Sequence, residues 1–141
     1  MKKRKIIGCL DDQGELHQGI PVFCQTKIHS PYGESWMQIN QTFLEEFAAR
    51  RDVGLEVYRV FMYLNARLDF HNIIRVPQTE IATALGMHKQ SVHKAIKKLV
   101  ELGILIPGPV VSSWRLNPQA GWKGKVVHLR DAQRQHLELV K

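Results

Sequence analysis

GMHKQSVHKAIKKLVELGIL, residues 86–105, lays two patterns over one another. Val92, Ala95, Ile96, Leu99 and Leu102 recur at the spacing of a helix that buries one face. Lys89, Gln90, His93, Lys94 and Lys97 fall on the opposite side. Gly86 at the head of the stretch and Gly103 near its tail are of the residue type that takes the left-handed conformation at a helix end. The segment reads as a helix over 89–102, apolar inward and cationic outward, between two glycine turns.

Upstream, Ile73-Ile74-Arg75-Val76 reads as a short strand, and Pro77 stops it where a helix can start. That helix takes Glu80 near its N-terminus, buries Ile81, Ala82 and Leu85, and ends at Gly86, so that only Met87 and His88 separate it from the next. Two amphipathic helices joined by a tight glycine turn describe a helix-turn-helix. Downstream, Ile104-Leu105-Ile106 and Ser113-Trp114-Arg115-Leu116 are strand-like, with Pro107-Gly108-Pro109 opening the loop between them. Together with the strand at 73–76 this gives the order strand, helix, turn, helix, strand, wing, strand. The expected fold class is α+β, mainly α: a winged helix-turn-helix domain with a small N-terminal β element and a C-terminal helix.

The 141 residues suit one domain. Its expected parts are a β element over 1–40, the winged core over 41–128 and a C-terminal helix over 129–141. Strands are expected at Ile6–Leu10 and Gly19–Gln25, around the turn-rich Asp11-Asp12-Gln13-Gly14-Glu15, and a further short one around Trp36–Ile39 after a turn at Ser30-Pro31-Tyr32-Gly33. Asn40 is placed to cap a helix with Phe43, Leu44 and Phe47 on one stripe. A second helix from about Leu55 to Leu68 offers Val57, Tyr58, Phe61, Met62, Leu64 and Leu68 as a wide buried face. In the tail, Leu129, Ala132, His136, Leu139 and Val140 share a face able to dock on the body or meet a second subunit. Cys9 and Cys24 are too few for a disulfide framework and lack zinc-site grouping; they are expected reduced, as small, partly buried residues, with their facing each other across a hairpin left open. Met1-Lys2-Lys3-Arg4-Lys5 leads into too short an apolar run for a signal peptide, and no run approaches a membrane span, which points to the cytoplasm.

The net charge is +7, and its placement is more informative than its size. Residues 1–70 carry 9 Lys/Arg against 9 Asp/Glu, whereas residues 71–141 carry 11 against 4. Positive potential concentrated in one region suits a polyanion, and the B-form major groove admits one α-helix whose side chains can read base edges. Lys89, Gln90, Ser91, His93, Lys94 and Lys97 are the candidate base contacts; Gln suits adenine, Lys suits guanine or a neighbouring phosphate. His88, Lys98, Ser112, Ser113, Arg115, Lys123 and Lys125 are the candidate contacts to the DNA backbone. His88 and Ser91 have a competing role as helix caps. The wing is unusual, because its tip reads Pro109-Val110-Val111-Ser112-Ser113, with no charge before Arg115.

Residues 72–125 resemble the RepL-type plasmid replication proteins, which are winged-helix proteins. The resemblance lies in the His71-Asn72 lead-in, Thr79-Glu80-Ile81-Ala82, the Gly86 to Gly103 stretch, and most narrowly Trp114-Arg115-Leu116-Asn117-Pro118 followed by Trp122-Lys123-Gly124-Lys125. It implies a plasmid or mobile-element protein that binds DNA, to initiate replication or to control plasmid genes. The residues themselves carry the reading only as far as binding, and for Asn117 and Trp122 they leave structural roles and DNA contact equally open. No His-x-His pair accompanies the tyrosines, as a nicking initiator needs, and no phosphate-binding G-x-x-x-x-G-K-[ST] loop occurs. His88 and His93 are five apart and do not share a helix face. Neither enzyme nor cofactor is expected. The partners expected are palindromic double-stranded DNA and a second copy of the chain, with no membrane and no small-molecule ligand. Two other readings use the same fold: a transcriptional repressor, and a winged helix whose lysines meet an acidic protein.

Overall fold

The computed structural model describes residues 9–10, 16–17 and 31–140. The chain separates into two units, Met1–Glu34 and Ser35–Lys141. In the first, β1 (Cys9–Leu10) pairs antiparallel with β2 (Leu16–His17), Cys9 opposite His17 and Leu10 opposite Leu16. The partner strand thus lies ahead of the expected Gly19–Gln25. That segment, Cys24 and the basic pentapeptide fall outside the described residues.

The second unit runs β3 (Gln38–Ile39), α1 (Gln41–Ala48), α2 (Leu55–Ala66), β4 (Ile73–Ile74), α3 (Gln78–Leu85), α4 (Lys89–Glu101), β5 (Leu105–Pro107), β6 (Trp114–Leu116), β7 (Gly121–Trp122) and α5 (Val126–Val140). It is a mainly helical α+β winged helix-turn-helix. Asn40 caps α1, its Oδ1 accepting from the Thr42 N–H at 3.0 Å and the Phe43 N–H at 3.5 Å. Phe43 and Phe47 stack at 5.6 Å, and Phe47 meets the Phe61 ring edge-on at 5.0 Å, which fixes α1 on α2. Two sequence expectations fail here. Leu44 and Met62 are exposed, because α1 buries only the narrow line through Phe43 and Phe47, and Met62 sits about 100° around the helix from Phe61.

Three helices, α2, α3 and α4, surround the core. Val60, Leu64, Ile81, Val92, Ile96 and Leu99 are buried there beside Ile74, Leu105 and Leu116 of the sheet. Each such side chain contributes about 1.5–3 kcal/mol through burial. Both glycine turns form as the sequence indicates. Gly86 has φ 62°, with the Met87 N–H bonded to the Ala82 carbonyl at 2.9 Å; Gly103 has φ 71°, with the Ile104 N–H bonded to the Leu99 carbonyl at 3.0 Å. These are Schellman closures, in which the left-handed residue turns the next amide back onto the last helical turn. Pro77 stands immediately before α3 with φ −60° and ψ 142°, its fixed φ and missing N–H costing nothing where no helical partner exists.

The wing sheet has the order β4-β6-β5. Arg115 pairs with Ile73 on one side and Ile106 on the other; Trp114 pairs with Ile74 and Pro107. Alternation along β6 turns Trp114 and Leu116 to one face and Arg115 to the other. A second pairing, β3 with β7, places Gln38 opposite Trp122 and Ile39 opposite Gly121. Only glycine fits that approach, since a Cβ on Gly121 would lie 2.9 Å from the Gln38 carbonyl oxygen.

Two asparagines tie these parts together. Asn72, 2% exposed and at φ 61°, donates from Nδ2 to the Leu116 carbonyl at 3.0 Å and accepts the Lys123 N–H at 3.2 Å. Asn117 donates to the Gly103 carbonyl at 2.8 Å and accepts the Gln119 N–H at 2.9 Å. Helix α5 begins at Val126, three residues before the expected start. Leu129, Ala132, Gln133 and His136 are half-buried, and Gln133 donates to the Pro118 carbonyl at 3.2 Å. Leu139 and Val140, expected on that same face, are exposed.

Candidate nucleic-acid interface

Helix α4 shows its apolar residues to the core and leaves Lys89, Gln90, His93, Lys94 and Lys97 exposed, with Ser91 half-buried. Gln78 at the start of α3 closes a shallow recess of about 490 Å³ with Lys89, Gln90, His93 and Lys94. The outer face of α4 is thus a continuous polar and cationic strip with donors and acceptors of the kind base edges require. His88 occupies the position before α4, yet its side chain makes no capping bond, so it stands exposed beside the strip.

The strip opens into a larger groove, about 610 Å³, between the turn into α3 and the wing. Arg75, Gln78, Thr79 and Lys89 line one side, and Val110, Val111, Ser112 and Trp114 the other. Arg75 was not among the residues singled out from the sequence. Its signal was present as the one polar residue of the Ile-Ile-Arg-Val run just before Pro77, but only the packing of β4 beside the wing brings it into the groove that Lys89 also lines.

The expected backbone contacts divide. Ser112 is exposed at the wing tip. Ser113 is buried, its hydroxyl donating to the Val110 carbonyl at 2.6 Å and accepting the Val110 N–H at 3.0 Å. Arg115 points to the opposite face of the sheet, lining a separate cavity of about 250 Å³ with His71, Ala132 and His136. Lys123 lies over the Phe70 ring, 4.9 Å from its centroid. Lys125 is exposed, its carbonyl accepting the first N–H bonds of α5. Lys98 is half-buried and its Nζ lies 3.2 Å from Asp52, which Arg50 also grips at 2.9 Å. These hydrogen bonds, from Arg50 first and then Lys98, hold the Asp52 carboxyl well below the usual carboxylate range.

Struts behind the strip orient it. Arg59 on α2 donates to the Leu85 carbonyl at 2.6 Å, meeting a carbonyl left open at the end of α3. Arg67 bonds both Glu80 near the start of α3 and the Tyr63 hydroxyl, the latter at 3.2 Å. The two ends of α3 are thereby fixed to α2, and the turn hands that orientation to α4.

Residues 51–110 match the family model of the MarR family. The match spans α2 through the start of the wing loop, the part of the chain that holds the helix-turn-helix, and covers less than half of the sequence. Over this segment the chain is similar to the MarR family, and the structure there is a winged helix-turn-helix. No curated protein and no solved structure matches the chain. The MarR-type match supports the winged helix expected from the sequence and gives no support to the plasmid replication family in particular. Among the described residues no helix is long and apolar enough to cross a membrane.

Proposed function

We propose that this protein is a transcriptional regulator, acting as a repressor, that reads double-stranded DNA with α4 in the major groove. The observation that carries the reading is the exposed strip Lys89, Gln90, His93, Lys94 and Lys97 on the second helix of a MarR-type domain. Gln90 reads base edges; the lysines around it, with Arg75 on the side of the groove that Lys89 lines, hold phosphates that fix the register. Repression follows from occupancy, since a protein seated on a promoter excludes other proteins from it. The functional unit is a homodimer on a palindrome, with the exposed Leu137, Leu139 and Val140 of α5 meeting a second copy.

A plasmid replication role has a weaker basis. Its narrowest signature is the Trp114 to Lys125 stretch, and there Asn117 braces the end of α4, Trp122 is buried and the Lys123 amide binds Asn72. These residues support the winged fold wherever it is used. Selection of bound duplexes from a randomised pool tests the proposal. The expected result is a palindromic motif bound about 10³-fold above scrambled DNA, found at promoters of its own or neighbouring genes. A motif confined to a replication origin, with plasmid copy number collapsing on gene deletion, would restore the replication reading. Binding without any preferred sequence would favour an acidic protein partner.

A further inference from the structure

Away from the α4 strip, an exposed aromatic ring lies among cations that have no acidic partner. Phe70, in the loop between α2 and β4, is 54% exposed although Lys123 Nζ stands 4.9 Å from its ring centroid. The loop is tied to the segment after β7, since the Lys123 N–H donates to Asn72 Oδ1 at 3.2 Å and a Cβ on Gly124 would lie 3.0 Å from the Phe70 carbonyl oxygen. Arg115 and Lys125 are exposed, and among the described residues neither they nor Lys123 pairs with a carboxylate. Between Glu101 and Asp131 the chain has no Asp or Glu to offer them. Asp69, next to Phe70, is turned to the His71 and Ile73 amides, each at 2.9 Å. His71 and Arg115 meet at the cavity of about 250 Å³ between the sheet and α5, which Pro107 and Trp122 also line. None of these residues lines the groove or the recess beside α4.

We infer that this surface is a second nucleic-acid site, separate from α4, which holds a single strand by stacking a base on Phe70 while Arg115, Lys123 and Lys125 neutralise its phosphates. Binding of single strands without sequence reading combines cations that follow the backbone with aromatic rings on which bases stack. Both occur here side by side. A duplex would satisfy the cations, but its bases are stacked inside it and offer a side-chain ring no open face. A strand with unstacked bases offers both. The adjoining cavity is small beside the pockets of about 300–1,000 Å³ that enclose drug-sized ligands. It has room for one flat ring against Pro107 and Trp122, with Arg115 in the same lining for the linking phosphate. The cations alone would equally suit an acidic protein; the exposed ring and the ring-sized cavity are what favour a nucleic-acid strand. The site shares no residue with the α4 strip, so either can fail without the other.

The test uses the full chain and a fluorescein-labelled oligothymidylate of about 20 nucleotides, a strand that cannot pair with itself. Wild type is expected to bind it. Phe70→Ala, altered at an exposed position, should bind about 10-fold more weakly with an unchanged salt slope, and Phe70→Trp should restore the affinity. Lys125→Ala should lower the slope of log affinity against log salt by about 0.7, one phosphate on a single strand. An abasic strand of equal length should bind wild type about as weakly as the oligothymidylate binds Phe70→Ala. The Gln90→Ala/Lys94→Ala double variant, altered only on α4, should hold the oligothymidylate within about 2-fold of wild type. No binding by wild type would overturn the inference, as would loss of strand binding in the α4 double variant, which would place the strand on the duplex-reading face. Equal binding of abasic strand and oligothymidylate would overturn it too, leaving a surface whose cations suit an acidic protein.

Discussion

Lys94 and Lys98 are four residues apart on one helix, and the sequence assigns both to DNA, the first to bases and the second to the backbone. The fold separates them further. Lys94 faces the open recess with Gln90 and His93, whereas Lys98 reaches back to Asp52. Lys94→Ala is therefore expected to weaken binding to every duplex and to reduce the slope of log affinity against log salt by about 0.9, the loss of one phosphate neutralised. Lys98→Ala should leave that slope unchanged, which reverses what its place in a basic sequence suggests. Gln90→Ala should lose about 10-fold in affinity for the selected duplex and little for scrambled DNA, the signature of a base contact. Fluorescence anisotropy over a salt series separates the three; a common slope change would show that the strip is one undivided electrostatic surface.

The end of α4 depends on Gly103, and the tie between β6 and the residue after β7 depends on Asn72. Gly103 stands at φ 71° with open space around it, so Gly103→Ala meets no clash and isolates the backbone cost of that conformation, about 1–2 kcal/mol. Asn72→Ala should cost more, about 3 kcal/mol, because it leaves the buried Leu116 carbonyl without its side-chain donor, leaves the Lys123 amide without its acceptor and puts alanine at a left-handed φ. Urea unfolding of the two variants checks both the order and the sizes. Helix ends of this kind are legible in sequence because glycine has a local reason to be there. Asn72 is not legible as a strut, since its partners lie 44 and 51 residues away along the chain.

In the molecule as a whole, Asp52 links the segment between α1 and α2 to the back of α4. Its pKa is depressed in the folded state, so its stabilising effect is fully present above the ordinary carboxylate value and is lost as pH falls through the lowered one. Asp52→Asn should accordingly be less stable than wild type at neutral pH, with the gap between their urea midpoints narrowing as the pH drops below about 4. At the other end, Leu129, Ala132, Gln133 and His136 hold α5 to its own body while Leu137, Leu139 and Val140 face solvent. Replacing Leu137 and Leu139 by serine should give monomers with undiminished helix content, measured by light scattering and circular dichroism. An unchanged dimer would move the interface elsewhere.

The sequence alone determined the winged helix-turn-helix, because its signals are local: apolar spacing on α4, Pro77 ahead of α3, glycines at φ 62° and 71° behind α3 and α4, and strand-like runs around the wing. It also placed the cations on the outer face of α4, since the buried positions leave only that face free. What the tertiary structure alone decided concerns residues that share a helix or strand but not an environment. It put Arg75 and Lys89 on the walls of one groove, drew Lys98 to Asp52, turned Arg115 to the far side of β6, closed Ser113 inside the wing and set β3 against β7. Each of these depends on which distant segment packs nearby, and periodicity along one element carries no information about that.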